Sequence, residues 1–204
     1  MMIGIDVRGL ADVKKALAGL TGQESDKAMQ MAINKTATKG RAEINRAVLE
    51  KYAIKANEVR NSVEVRQAYK KQRGAVAEIS VFGSPSRRGR SMNLIHFLAT
   101  LGGMKTRGSR ASRKEIKTLG EQMGFRITKA GGMKKIEGAF IGNKGRTIFR
   151  RIGKERKPID AMRVIGVSQM FNSRALRGRV MAKISDDFEA ELGRAVAAIV
   201  GRRK

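Results

Sequence analysis

From about Ser25 to Tyr52, apolar or small residues recur at Met29, Ile33, Ala37, Gly40, Ile44, Val48 and Tyr52. Spacings of three and four draw one stripe along a helix, so this segment has to be an amphipathic helix of about 28 residues lying on a core. Gly40 sits on that stripe; a glycine there costs up to about 1 kcal/mol relative to alanine, which marks a place where another backbone comes close. A second stripe, Val180, Ile184, Phe188, Leu192, Val196 and Ile199, predicts a C-terminal helix that starts near Ser168, with Ser168 as its N-cap and Gly178 as the place for a kink. Arg202-Arg203-Lys204 closes it and complements the helix dipole. Acidic residues Asp186, Asp187, Glu189 and Glu191 read as the wet face opposite that stripe.

Between the helices the period changes from 3.6 to 2. Ile3–Val7 reads as a short strand, followed by a small helix at about 9–19. Val63–Tyr69 and Ala75–Phe82, separated by the basic turn 70–74, read as a hairpin. Phe125–Lys129, Lys134–Ile141 and Arg146–Ile152 are separated by Gly131-Gly132 and by Gly142-Asn-Lys-Gly145, and they predict an antiparallel meander. Phe125, Phe140 and Phe149 fall on those strands, where core packing is the default. Only nine of the 204 residues are aromatic and none is Trp, so aliphatic residues and Met must build the core. The fold class is α+β: two long helices packed on an antiparallel β-sheet, in one domain spanning 1–204 with a basic loop or extension at about 84–122.

The formal charge of +26 arises from 44 Lys and Arg against 18 Asp and Glu, and residues 84–158 alone hold 20 basic and 4 acidic side chains. Like charges repel in a compact state, so an excess of this size calls for an anionic partner or for an assembly. Two groups carry it. Arg87, Arg88, Arg90, Lys105, Arg107, Arg110, Arg113 and Lys114 lie in the extension, which reads as an insertion that orders against a partner. Arg150, Arg151, Lys154, Arg156 and Lys157 precede Pro158, which fits a strand start or edge.

A reaction centre is harder to assemble from these residues. The chain has no Cys and one histidine, His96, which sits in the apolar patch Leu94-Ile-His-Phe-Leu98 and reads as a packed or strand-edge side chain. Gly142-Asn-Lys-Gly145 lacks the ending and spacing of a P-loop. A nuclease needs clustered carboxylates around a hard metal; Asp160 and Glu115 are the nearest candidates, but Asp160 has no carboxylate neighbour in sequence. The expectation is a non-enzyme with no cofactor and no metal. Affinity for nucleic acid, if present, is sequence-independent and salt-sensitive, since no zinc finger, basic zipper or RNA-binding aromatic signature is visible. No apolar run approaches the roughly 20 residues of a membrane span, and the first residues lack a signal-peptide layout, so the chain is expected to be made in a cytoplasm.

Six segments carry a resemblance. Gly138-Ala-Phe-Ile141, Thr147-Ile-Phe-Arg-Arg-Ile-Gly153, Arg156-Lys-Pro-Ile-Asp160 and Val167-Ser-Gln-Met-Phe171 resemble, in order and spacing, the C-terminal half of the minor tail protein Z family of lambda-like phages and prophages. Ala32-Ile-Asn-Lys-Thr-Ala37 and Lys55-Ala-Asn-Glu-Val-Arg60 look like that family's first half. The resemblance implies a structural virion protein that completes the tail near the head-tail junction. It also implies assembly as a ring, with a hexamer favoured by tail symmetry, alongside tail-terminator, tail-tube or tape-measure proteins, with DNA as a non-specific partner. The alternative readings are a free, sequence-independent nucleic-acid-binding protein outside a virion, and a magnesium-dependent phage nuclease.

Overall fold

The computed structural model describes residues 2–4, 18–68, 76–84, 91–99, 123–153 and 155–203. The first long stripe forms helix α1, Gly22–Lys51. Its start is set at Thr21, whose backbone N–H and hydroxyl both donate to Glu24 Oε2 at 2.9 and 2.8 Å. That closes the first turn and places an anion at the positive end of the helix. The helix stops at Tyr52, which turns extended and bridges Thr128. A short helix α2, Ala56–Asn61, follows. Ala28, Ala32, Ile33, Ala37, Ile44, Ala47 and Val48 are buried along α1, so the stripe faces the core as its spacing requires.

The segment expected as one C-terminal helix forms two, and the apolar stripe lies wholly on the second. Helix α3, Val167–Phe171, ends at Asn172, and helix α4, Arg174–Val200, begins after Ser173. The break therefore falls at Asn172-Ser173, and α4 runs through Gly178 without a stop. Ser168 lies inside α3; the N-cap is Gly166, whose N–H donates to Gln169 Oε1 at 3.1 Å. Helices α1 and α4 run antiparallel. Lys39 pairs with Glu191 and Asp187, and Glu50, further along α1, pairs with Arg179, earlier on α4. Gly40 does mark a close approach, but of side chains: a Cβ there falls 2.9 Å from Ile79 Cδ1 and 3.1 Å from Ile184 Cδ1. The sheet and α4 thus meet on α1 at Gly40, where no side chain stands between them.

The sheets are small and antiparallel. Strands β1 (Met2–Gly4), β2 (Val63–Arg66) and β3 (Glu78–Val81) form the first, in the order β1-β3-β2, with Met2 opposite Ser80 and Val63 opposite Val81. The hairpin thus forms, with shorter strands than the alternating runs indicated. Ile5–Val7 and most of the segment expected as a small helix, 9–17, lie outside the described residues. Strand β4 (Ser91–Asn93) pairs with β11 (Arg163–Ile165), and β5 (Leu98–Ala99) pairs with β6 (Gly124–Phe125), which pairs with β7 (Lys134–Lys135).

The expected meander is instead divided between two sheets. Residues 134–141 do not make one strand: β7 ends at Lys135, Glu137-Gly138 turn with Gly138 at φ 72°, and β8 (Ala139–Gly142) begins a new sheet in the order β10-β9-β8. Its other members are β9 (Thr147–Arg151) and β10 (Ile159–Ala161). A left-handed glycine redirects the chain, which period-2 counting across it does not register. Part of the expected extension also belongs to the body: Met92, Leu94 and Phe97 are 1, 2 and 1% exposed in the core. The α+β class stands, with two long helices and several small sheets in place of one large one.

Candidate interaction surface

Asn93 fixes the hairpin that carries the second basic group. Its Oδ1 accepts the N–H of Ile148 at 2.9 Å and of Ile95 at 3.0 Å, while Nδ2 donates to Ile148 O at 3.4 Å. One side chain thus ties β9 to the 3-10 turn Leu94–Phe97. Ile148 is fully buried and points inward, so alternation places Phe149 on the outer face, paired across the ladder with Phe140. The two rings stack with centroids 5.9 Å apart. Both rings are half-buried, so the default core reading holds only for Phe125.

The five cations of the second group do not form one patch. Arg150 and Arg151 are neighbours on β9 and therefore project from opposite faces. Arg151 lies 5.0 Å over the Phe140 ring and donates to Arg156 O at 2.8 Å, so it ties the following loop to the sheet and also presents charge. Arg150 is exposed on the other side, opposite Asp160 in register. Arg156 and Lys157 are exposed in the loop before Pro158, and β10 is an edge strand, as a donor-less proline at its start suits. Lys154 lies outside the described residues, as do all eight members of the first group: Arg87, Arg88, Arg90, Lys105, Arg107, Arg110, Arg113 and Lys114.

Sequence reasoning missed cations that the fold adds to this region. Lys144 and Arg146 are exposed in the β8–β9 turn, where Asn143 and Lys144 take φ of 51° and 53°. Lys134, Lys135 and Arg163 are exposed on neighbouring strands. The signal was the 20 basic residues of 84–158; grouping them by contiguous runs hid those scattered along strands.

Of the other candidates, His96 has a structural partner. His96 lies in the 3-10 turn, half-buried, with Nδ1 3.5 Å from a carboxylate oxygen of the buried Glu58. Asp160 is exposed on an edge strand, and Glu115 lies outside the described residues. Among the described residues, no three His, Asp or Glu side chains gather where a metal ion could be held. A groove of about 650 Å³ between α1 and β2 is lined by Thr38, Arg41, Glu64, Val65, Arg66 and Gln67. No described helix is long and apolar enough to cross a membrane.

Glu191 overturns the wet-face reading of its cluster. Its side chain is 4% exposed against α1, 2.6 Å from Lys39 Nζ, and is also paired with Arg194. The hydrogen bond from Lys39, reinforced by the charge of Arg194, holds its carboxyl below the usual range despite burial. Asp187 pairs with Lys39 and Lys183, while Asp186 and Glu189 are exposed. At the other end of the helix pair, the hydrogen bond from Arg179 lowers the exposed Glu50 in the same direction. Burial raises the Tyr52 phenol.

The described residues thus define a two-helix α+β body whose small sheets carry exposed cations and a stacked aromatic pair. The chain belongs to the prophage minor tail protein Z family, whose family model matches residues 7–202. It is therefore a minor tail protein, a structural component of the phage virion tail. No curated protein and no solved structure matches it.

Proposed function

We propose that this chain completes the tail at its head-proximal end, assembling as a ring with tail-terminator, tail-tube or tape-measure neighbours and helping to position the DNA end, with no chemistry of its own. The observation that carries this reading is the charge of +26 on a member of a minor tail family. A ring multiplies that charge into a positive field around a channel, and a field of that sign attracts DNA without reading its sequence. A hexamer fits the symmetry of a tail. Residues 84–122, a basic segment of one continuous domain in this reading, and the cations around β9 are the surfaces that meet DNA or acidic neighbours.

Two measurements test it. Labelled antibody on purified particles is expected to mark the tail end next to the head; label at the distal tip, or no label, overturns the placement. The purified chain is expected to elute from immobilised duplex earlier as salt rises. Retention that salt does not weaken, or no retention, removes DNA from the account. The readings of a nucleic-acid-binding protein outside a virion and of a nuclease now compete with the family assignment. Magnesium-dependent cleavage lost on changing Asp160 or Glu115 would revive the latter.

A further inference from the structure

The outer face of the β10-β9-β8 sheet combines two chemistries that rarely share a surface without a reason. In register, Phe140 faces Phe149 across one ladder and Ile159 faces Arg151 across the other, so these four side chains share one side of the sheet. Ile159 is 41% exposed. In sequence, residues 134–163 hold ten basic and three acidic side chains, and four of the cations, Lys144, Arg146, Arg156 and Lys157, are exposed in the loops that join these strands. An isolated exposed isoleucine needs no explanation; one beside a stacked aromatic pair, on a sheet whose connecting loops are cationic, does.

We propose that this face docks an acidic protein partner that also brings apolar side chains, and that it is not a DNA-binding surface. The inference rests on the reading of the chain as an assembling tail component and names the kind of partner for one of its basic surfaces. Phosphates offer charge complementarity to Arg156 and Lys157, but a duplex backbone has no apolar surface to cover Ile159 and the Phe140–Phe149 pair. A protein carries both. The arrangement has an aromatic and Arg centre with a polar rim, the pattern of protein interfaces. Arg151 is already held in place by the Phe140 ring and the Arg156 carbonyl, so its remaining N–H groups are fixed where a carboxylate can meet them as a fork.

Binding of the purified full chain to three fluorescent probes tests this: a short peptide alternating Glu and Val, a peptide of the same charge alternating Glu and Gly, and a duplex DNA of arbitrary sequence. The Glu-Val peptide is expected to bind about tenfold tighter than the Glu-Gly peptide, the scale set by covering one or two aliphatic side chains. Ile159→Ser, at an exposed edge position, is expected to remove most of that difference and leave duplex binding unchanged. Arg156→Glu with Lys157→Glu weakens both peptides. Equal binding of the two peptides, or duplex binding that falls with Ile159→Ser as much as peptide binding does, overturns the proposal. Detection of the chain in particles is a separate measurement, so failure here and failure of the tail assignment cannot be confused.

Discussion

Lys39 reaches from one long helix to Glu191 on the other, placing its Nζ 2.6 Å from a carboxylate oxygen on a side chain only 4% exposed. Arg194 and Lys35 stand on the same carboxylate, and Asp187 shares Lys39. The helix pair is therefore pinned in register by a charged cluster beside its apolar stripe. The carboxylate is compensated by several cations, so burial does not leave it with the large penalty of an isolated buried charge.

Glu191→Gln keeps the shape and removes the charge. The folded-state pKa of Glu191 lies below its unfolded value, so its contribution is present above about pH 4.3 and is lost as pH falls through the folded value. The variant is expected to be less stable than the parent by about 1 kcal/mol at neutral pH, a modest figure because Lys39 is partly solvated. The gap should close in acid. Urea titrations over a series from pH 7 into acid check it, and a gap that does not narrow as pH falls contradicts the electrostatic origin.

The contact of Gly40 with Ile79 and Ile184 makes a second prediction. Gly40→Ala gains helix propensity but drives a methyl to 2.9 Å from Ile79 Cδ1 in a fully buried site, so a net loss of about 1 kcal/mol is expected. Ile79→Val removes that terminal carbon and alone costs about 1 kcal/mol. Together the two changes should cost less than their sum. Strict additivity in a double-mutant cycle would show that the crowding is not at Cδ1.

Local periodicity made the helices legible, and the limits of that signal explain what it missed. The helix expected from about Ser25 to Tyr52 matches α1, Gly22–Lys51, to within a turn because each turn repeats the same demand. Glu191 was misplaced because a carboxylate next to Leu192 looks like a wet-face residue until Lys39, on a distant segment, is brought beside it. The hairpin of Phe140 and Phe149 was readable from alternation, whereas the division of the expected meander depended on the backbone angle of Gly138. Arg150 and Arg151 were grouped by adjacency although strand alternation already separates them. The clamp of Asn93 on Ile148 joins segments with no shared pattern. None of the cations at 87–114 is among the described residues, so that half of the surface rests on sequence.

That clamp is open to a direct test. Asn93→Ala leaves the N–H groups of Ile148 and Ile95 without their acceptor, and Ile148 is fully buried. Unmet buried donors cost about 1 to 3 kcal/mol each, so a loss of about 2 to 4 kcal/mol is expected, with faster amide exchange at Ile148 and Ile95. Asn93→Asp retains the acceptor and loses only the 3.4 Å donation to Ile148 O, so it should recover much of the stability. Equal losses in the two variants would show that the accepted bonds are not what matters.

The last prediction separates the two neighbouring arginines of β9. Arg151 spends part of its charge internally, over Phe140 and on Arg156 O, whereas Arg150 projects from the other face as an exposed side chain. Arg151→Ala is therefore expected to destabilise the fold by about 1 kcal/mol, through the lost ring contact and the released loop, and Arg150→Ala to change stability by less than about 0.5 kcal/mol. Replacing Phe140 with Leu should abolish most of the effect of Arg151→Ala, because the guanidinium then has no aromatic face to rest on. A cycle over Arg151 and Phe140 with a coupling near zero would assign the Arg151 effect to the loop carbonyl alone. A coupling of about 0.5 to 1 kcal/mol would show that the stacked pair sets the position of the cation that the outer face presents.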